Sequence, residues 1–147
     1  MGGDWKLVRD DYRFGGNFNR LKNLAVKNNG VYIAPSVRSF DENGVNDIAA
    51  LIAGFKAQSG SAPVILACGS MGSIICLSLA RDAVSAKMIS GMVLLGGSPD
   101  DGLSASALVK NKTPIAFMHG SADTVYSHDA QRAVFEAIRA KYPGYPT

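Results

Sequence analysis

The chain has 147 residues, which is enough for one domain with a single core and too few for two comfortable ones. Hydrophobic residues make up 47% of the chain and charged residues 18%, so a disordered protein is excluded. The net charge of +3 is spread along the chain without a basic run among aromatics, so no nucleic-acid partner is expected. No apolar run approaches the ~20 residues of a membrane span, and no secretory signal is visible, so a cytoplasmic protein is expected.

The first third of the chain predicts two strands and a helix. Trp5–Arg9 alternates weakly and fits a strand. The apolar spacing of Asn17–Asn28 predicts a helix that Gly30 ends. Val31–Ala34 is rich in β-forming residues and predicts a strand that Pro35 stops.

The remainder alternates regularly between helical and extended patterns. In chain order it predicts a helix capped by Asn46, strand Val64–Cys68, helix Ser73–Ala83, strand Ile89–Leu95, a short helix Ser104–Val109, strand Pro114–Met118, and a helix capped by Ser127 with Ala130, Val134 and Ile138 on one side. This alternation predicts parallel strands joined by right-handed crossovers. Functional groups in such sheets gather at the carboxyl ends of the strands.

Two cysteines flank the middle of the chain, Cys68 near a strand end and Cys76 in the following helix. Their apolar surroundings predict buried free thiols. A metal site would need histidine or further cysteine close by, and none is present in this segment, so neither a metal nor a cofactor is expected.

Ser70 occupies the point where a buried strand passes directly into a helix. A side chain at such a corner projects above the sheet, and the helix N-terminus offers N–H groups to an oxyanion. Ser98 and Ser121 also follow strands. However, Pro99 has no N–H to donate, and no helix directly follows Ser121. A turn whose serine merely caps the helix is the plainer alternative for Ser70.

The pentapeptide CGSMG around Ser70 resembles the nucleophile elbow of the α/β-hydrolase fold, G-x-S-x-G, with Cys68 in place of the first glycine. The resemblance implies an α/β, three-layer sandwich with a mostly parallel sheet, covering residues 1–147 as one domain. It implies that Ser70 is the nucleophile and that the Met71 N–H forms half of an oxyanion hole.

The stretch PIAFMHGSADTV resembles the acid-bearing strand and loop of the same family, in which Asp123 takes the place of the catalytic acid. His119 precedes the acid and is expected to be structural. His128 is the one histidine downstream of Asp123, and it is the candidate base. A solvated histidine at a helix start is the alternative for His128.

The oxyanion loop of the family would contain a glycine pair, and two pairs are present. These are Gly2–Gly3 and Gly15–Gly16; the second would bring the Gly16 N–H to the site. The strand and histidine-bearing loop that the family places last have no counterpart before Thr147. The chain is therefore expected to be either a piece of a longer hydrolase, truncated at one or both ends, or a minimal or inactive relative.

These features predict a serine hydrolase that cleaves a small-molecule carboxylic ester, or an amide, through an acyl-enzyme on Ser70. A non-catalytic binding module of the same fold is the main alternative. An incomplete sheet would expose apolar edges that a homo-oligomer could cover. A nucleotide-binding fold ranks last, because no lysine closely follows the Gly69–Gly72 turn.

Overall fold

The computed structural model of the protein describes residues 13–147. The predicted strand Trp5–Arg9 and the Gly2–Gly3 pair lie outside the described residues. The helices are α1 (Asn17–Lys27), α2 (Glu42–Ser59), α3 (Gly72–Arg81), α4 (Ala83–Met88), α5 (Ala107–Lys110) and α6 (His128–Lys141), and the strands are β1 (Ile65–Gly69), β2 (Gly91–Leu95) and β3 (Ile115–Met118). Short 3-10 helices cover Arg13–Gly16 and Asp101–Ala105.

The three strands form one parallel sheet in the order β1-β2-β3. Ile65 pairs with Gly91 across the first ladder, and Met92 pairs with Ile115 across the second. Because β2 lies in the middle, its residues are buried almost throughout, which explains the unbroken apolar run in the sequence. The sheet and its flanking helices confirm the predicted parallel α/β architecture.

Helices pack against the sheet through apolar side chains and form one continuous core. Helix α3 contacts β1, and α2 packs on α3. The Phe117 ring of β3 meets the Phe135 ring of α6 edge to face, with centroids 5.7 Å apart. The largest fully buried apolar side chains are Leu79, Met92, Leu103, Leu108, Ile115, Ile138 and Val109.

Several predicted boundaries move because a local side chain caps a helix. The predicted helix Ser73–Ala83 divides at Asp82, whose carboxylate accepts a hydrogen bond from the Ser85 N–H and starts α4. Ser127 caps α6 as predicted, since its Oγ accepts from the Ala130 N–H at 3.2 Å. Ala130 itself is exposed, not stacked on the buried side of the helix.

Two predictions in the first half of the chain are wrong. Val31–Ala34 pairs with no strand among the described residues, and the Val31 side chain is 77% exposed. Asn46 does not cap α2, because the helix begins at Glu42, four residues earlier. The Asp41 carboxylate takes the capping role by accepting from the Asn43 N–H at 2.9 Å and from the Gly44 N–H at 3.4 Å.

The prediction of two free thiols is also wrong, because Cys68 and Cys76 form a disulfide. Cys68 lies near the end of β1 and Cys76 lies on α3, so the tight crossover between them brings their Cα atoms to 6.5 Å. That separation is within the range a disulfide spans. Both residues are buried, and the bond joins the strand to the helix that follows Ser70.

The last described residues close the core beside β3. The Tyr145 ring is buried, and its hydroxyl donates to the Thr113 carbonyl. The Ile115 N–H of β3 donates to the Pro146 carbonyl at 3.2 Å. Burial raises the pKa of Tyr145 from 10.0 to about 12.

Reduction of the Cys68–Cys76 disulfide should lower the free energy of unfolding by ~2–3 kcal/mol, because the bond restricts a short loop in the unfolded chain. Urea unfolding with and without a reductant measures this. The Cys68→Ser/Cys76→Ser double variant is the control and should not respond to the reductant. Two reactive thiols in the denatured, unreduced protein would contradict the pairing.

The free energy of unfolding should fall as the pH rises from 10 towards 12. In this pH range Tyr145 loses its proton in the unfolded chain but keeps it in the folded protein. Tyr145→Phe removes this dependence and costs ~1 kcal/mol at neutral pH through the lost hydrogen bond. Urea unfolding between pH 7 and 11 measures the difference in the free energy of unfolding between the parent protein and Tyr145→Phe. This difference should become smaller above pH 10. Parallel profiles at all pH values would refute this role.

Candidate active site

Ser70 forms the corner between β1 and α3 in a left-handed backbone conformation, with φ of +48°. This conformation costs a residue other than glycine ~1–2 kcal/mol, so neighbouring contacts must maintain it. The Ser70 N–H donates to the Leu95 carbonyl at 3.1 Å, which extends the β1–β2 ladder into the corner. The Ser70 carbonyl accepts from the Ser73 N–H at 3.0 Å. Both backbone polar groups of the corner residue are thereby fixed.

Ser70 lines a cavity of about 530 Å³ at the carboxyl ends of the strands. Ser70 is half-buried, and the adjoining Met71 is 49% exposed, so the corner is open to a ligand. The cavity is lined by Gly15, Asn17, Ser70, Leu95, Gly96, Met118, His119, Gly120, Asp123, Val125 and Tyr126. The strand ends therefore meet in one space, as parallel pairing requires.

Asp123 lies in the loop between β3 and α6, residues 119–127, which we call the acid loop, and it lines the same cavity as Ser70. Its Oδ1 accepts from the Val125 N–H at 2.8 Å and from the Tyr126 N–H at 3.1 Å. These two backbone hydrogen bonds are the main reason that the pKa of Asp123 is lowered, and the nearby His119 adds to the effect. The carboxylate is therefore ionised at neutral pH, with Oδ2 outside the backbone hydrogen bonds.

Gly96 ends β2 and lies between the serine corner and the acid loop. Its φ is +51°, and a Cβ placed on it would lie 3.3 Å from Asp123 Oδ2. A side chain here would be strained by the backbone and crowded by the carboxylate. Glycine thus lets Asp123 approach the end of the central strand.

His119 is held beneath the acid loop. Its Nε2 lies 3.0 Å from the Tyr126 carbonyl and 3.4 Å from Asp123 Oδ2, and its side chain is 5% exposed. The carbonyl acceptor assigns the hydrogen to Nε2. The buried Nδ1 has no hydrogen-bond partner within the described part of the chain. His119 therefore joins the two ends of the acid loop.

His128 lies in the first turn of α6, outside the residues that line the cavity. Its Nδ1 is 3.2 Å from Asp129 Oδ1, and its ring centroid is 6.1 Å from that of His119. Across residues 13–147, neither histidine hydrogen-bonds to the Ser70 hydroxyl. Ser70 and Asp123 thus share the cavity, whereas His128 contacts Asp129 and the His119 ring instead.

Gly15 lines the cavity, whereas Gly16, the predicted oxyanion residue, is buried and is not among the lining residues. Gly15 and Gly16 have φ of +60° and +69°, and Gly16 is the residue before α1. Gly15 and Asn17 line the cavity with Ser70, so α1 begins at this space, as α3 does. The N-terminal ends of two helices carry partial positive charge, which favours a developing anion between them.

Comparison with known families identifies the fold. Residues 37–134, two thirds of the chain, match the family described as alpha/beta hydrolase. The chain belongs to the alpha/beta hydrolase family. The matched segment includes the Ser70 corner and Asp123, and Gly15–Gly16 precedes it. No curated protein and no solved structure is similar enough to match the chain.

Two further residues of this alpha/beta hydrolase shape the cavity without a catalytic motif of their own. Gly96 allows the acid to approach, and Ser73 lies beneath the corner with its side chain fully buried. The G-G-S run at the end of β2 is the one sequence signal for Gly96. For Ser73 the sequence gives only the small size of the residue, because its partner Ser98 is 25 residues away in the chain.

Gly96→Ala should destabilise the hydrolase fold by ~1 kcal/mol or more, because alanine is strained at positive φ and would crowd Asp123. Gly120→Ala is the matched control: Gly120 lines the same cavity, but a Cβ there meets nothing within 4 Å. Urea unfolding compares the two variants. Equal stabilities would argue against the contact between Gly96 and the carboxylate.

Proposed function

We propose that the protein is a serine hydrolase that cleaves carboxylic esters, or amides, through an acyl-enzyme on Ser70. One observation supports this most directly: Ser70 is strained into an open corner and shares its cavity with the ionised Asp123. A turn that served only to cap α3 would need neither the left-handed corner nor an acid on the same cavity wall. The alpha/beta hydrolase family membership agrees with this reading.

In the proposed reaction Ser70 Oγ attacks the substrate carbonyl carbon, and the carbonyl oxygen acquires negative charge. The backbone N–H groups of Met71 and Gly16, at the starts of α3 and α1, stabilise that charge. Collapse of the tetrahedral intermediate expels the alcohol and leaves an acyl-enzyme, which water then hydrolyses. Donors that are already oriented need no rearrangement as the charge forms.

The proton of Ser70 requires a base, and Asp123 is proposed to orient and stabilise a histidine in that role. His128 is the candidate within this sequence. To reach Ser70, its side chain would have to leave Asp129 and the His119 ring. We therefore expect slow turnover by this chain, because loss of one triad member leaves only binding and oxyanion stabilisation.

The proposed substrate is a small-molecule ester whose acyl group is apolar. Leu95, Met118 and Val125 line the cavity beside Ser70, and the exposed Met71 adjoins it. Apolar walls with a few polar groups are typical of small-molecule sites. No cofactor enters the proposed reaction.

Location and assembly stay predictions. Within the described residues, no helix has both the length and the apolar character that crossing a bilayer requires. A cytoplasmic location was expected, but the Cys68–Cys76 disulfide is more typical of an oxidising compartment. Homo-oligomer formation remains a proposal that a measurement of size in solution would test.

The second candidate function is a non-catalytic module that binds a small ligand in the same cavity. The observation that favours it is the Ser70 hydroxyl, which has no hydrogen bond to either histidine in the described part of the chain. Binding of an ester without turnover would favour this candidate.

A fluorophosphonate probe should label the protein at Ser70, because a serine held at an oxyanion site attacks phosphorus as it attacks a carbonyl. Ser70→Ala should abolish labelling, and peptide mass spectrometry locates the adduct. Ser121→Ala, in the exposed loop before Asp123, is the control and should label like the parent.

Asp123→Asn provides a second arm of the same experiment. It should slow labelling at least ~tenfold, because the amide cannot stabilise a charged base. Labelling that survives Ser70→Ala would exclude Ser70 as the nucleophile. Absence of labelling in the parent protein would favour the binding module.

A further inference from the structure

Ser73 is buried completely, and its hydroxyl forms two hydrogen bonds with opposite roles. Ser73 Oγ donates to the Ser70 carbonyl at 2.7 Å and accepts from the Ser98 N–H at 2.9 Å. One side chain thus connects the serine corner to the loop after β2, 25 residues further along the chain. The side chain is 0% exposed, so water does not compete for these bonds.

The loop Gly96–Ser98 packs directly on Ser73. A Cβ placed on Gly97 would lie 2.7 Å from Ser73 Cβ and 3.0 Å from its Oγ, so the backbone touches the side chain. One residue earlier, Gly96 lies against Asp123 Oδ2. The loop is therefore in contact with Ser73 on one side and with the carboxylate on the other.

We propose that Ser73 is a positioning residue of the active site, which sets the Ser70 corner relative to Asp123 through the loop Gly96–Ser98. The inference rests on the proposed function, in which Ser70 is the nucleophile. Ser73 acts on the backbone carbonyl of Ser70, so it orients the reacting hydroxyl without touching the substrate.

The two hydrogen bonds explain why only a small residue with a hydroxyl suits this position. Alanine would leave the Ser98 N–H without its acceptor and remove one of two donors to the Ser70 carbonyl. The Ser73 N–H would still reach that carbonyl, so the helix start would survive. The expected consequence is a displaced corner in a folded protein, which lowers the reactivity of Ser70.

Ser73→Ala and Ser78→Ala form a matched pair for the test. Ser78 lies on the same helix, and its Oγ donates to the Ile74 carbonyl at 2.9 Å, but it contacts neither the corner nor the loop. Each variant is incubated with a fluorophosphonate probe over a range of concentrations. Three quantities are measured for each variant: the labelling rate constant at saturating probe, the probe concentration that gives half of this rate constant, and the final labelled fraction.

Ser73→Ala should lower the rate constant at saturation ~tenfold or more, with the half-saturating concentration and the final labelled fraction unchanged. Ser78→Ala should match the parent protein in all three quantities. A purely structural role would leave irreversibly misfolded protein unlabelled, which lowers the final labelled fraction. Reversible unfolding would lower the rate constant only in proportion to the unfolded fraction, which urea unfolding of each variant measures.

Gly97→Ala tests the same contact from the opposite side without altering a hydroxyl. The added methyl group would press on Ser73 and should slow labelling in the same way. Gly54→Ala is its control, since a Cβ at Gly54, within α2, meets nothing within 4 Å.

The outcomes separate this inference from the proposed function. Labelling of Ser73→Ala and Gly97→Ala at the parent rate, with the parent labelled at Ser70, overturns the positioning role alone. Absence of labelling in the parent overturns both, because no nucleophile would then exist to position. Slow labelling of both variants with intact labelled fractions supports the inference.

Discussion

The left-handed backbone of Ser70 is the constraint on which the site depends. A strand that enters a helix within two residues must turn sharply, and a residue with a Cβ pays for that turn with strain. The Ser70 N–H donates to the Leu95 carbonyl at the end of β2, and the Ser70 carbonyl accepts hydrogen bonds from both the N–H and the hydroxyl of Ser73. The Cys68–Cys76 disulfide joins the two arms of the corner. Ser70 is consequently held at the edge of the cavity, of which it is a lining residue.

Close backbone approach is what brings the acid to the same cavity. Parallel pairing of β2 with β3 puts the acid loop beside the end of β2, and Gly96 leaves room for the carboxylate there. His119 holds that loop from below through the Tyr126 carbonyl. The Ser70 corner and the acid loop therefore meet at one short run of small residues, Gly96–Ser98, which contacts both.

Charges around the cavity are arranged with opposite signs on different elements. The starts of α1 and α3 present partial positive charge, while backbone donors keep Asp123 ionised by lowering its pKa. Such an arrangement suits a reaction in which an oxyanion forms near the helix starts and a cation forms near the acid. Residues from the ends of all three strands line this cavity.

The sequence by itself determined the parallel α/β architecture, the Ser70 corner and the place of Asp123, because these depend on local periodicity and on residues adjacent in the chain. It determined the start of α6 for the same reason, since Ser127 caps its own helix. Only the tertiary structure decided the partners of Ser73, the contact of Gly96 with Asp123 and the pairing of Cys68 with Cys76. Val31–Ala34 belongs to the same group, because β-forming residues make a strand only beside a paired neighbour. The contacts of Ser73 with Ser98 and of Gly96 with Asp123 join residues more than 20 positions apart, which local sequence patterns do not encode. The two cysteines are close in the chain, but only the angle between β1 and α3 brings their side chains together.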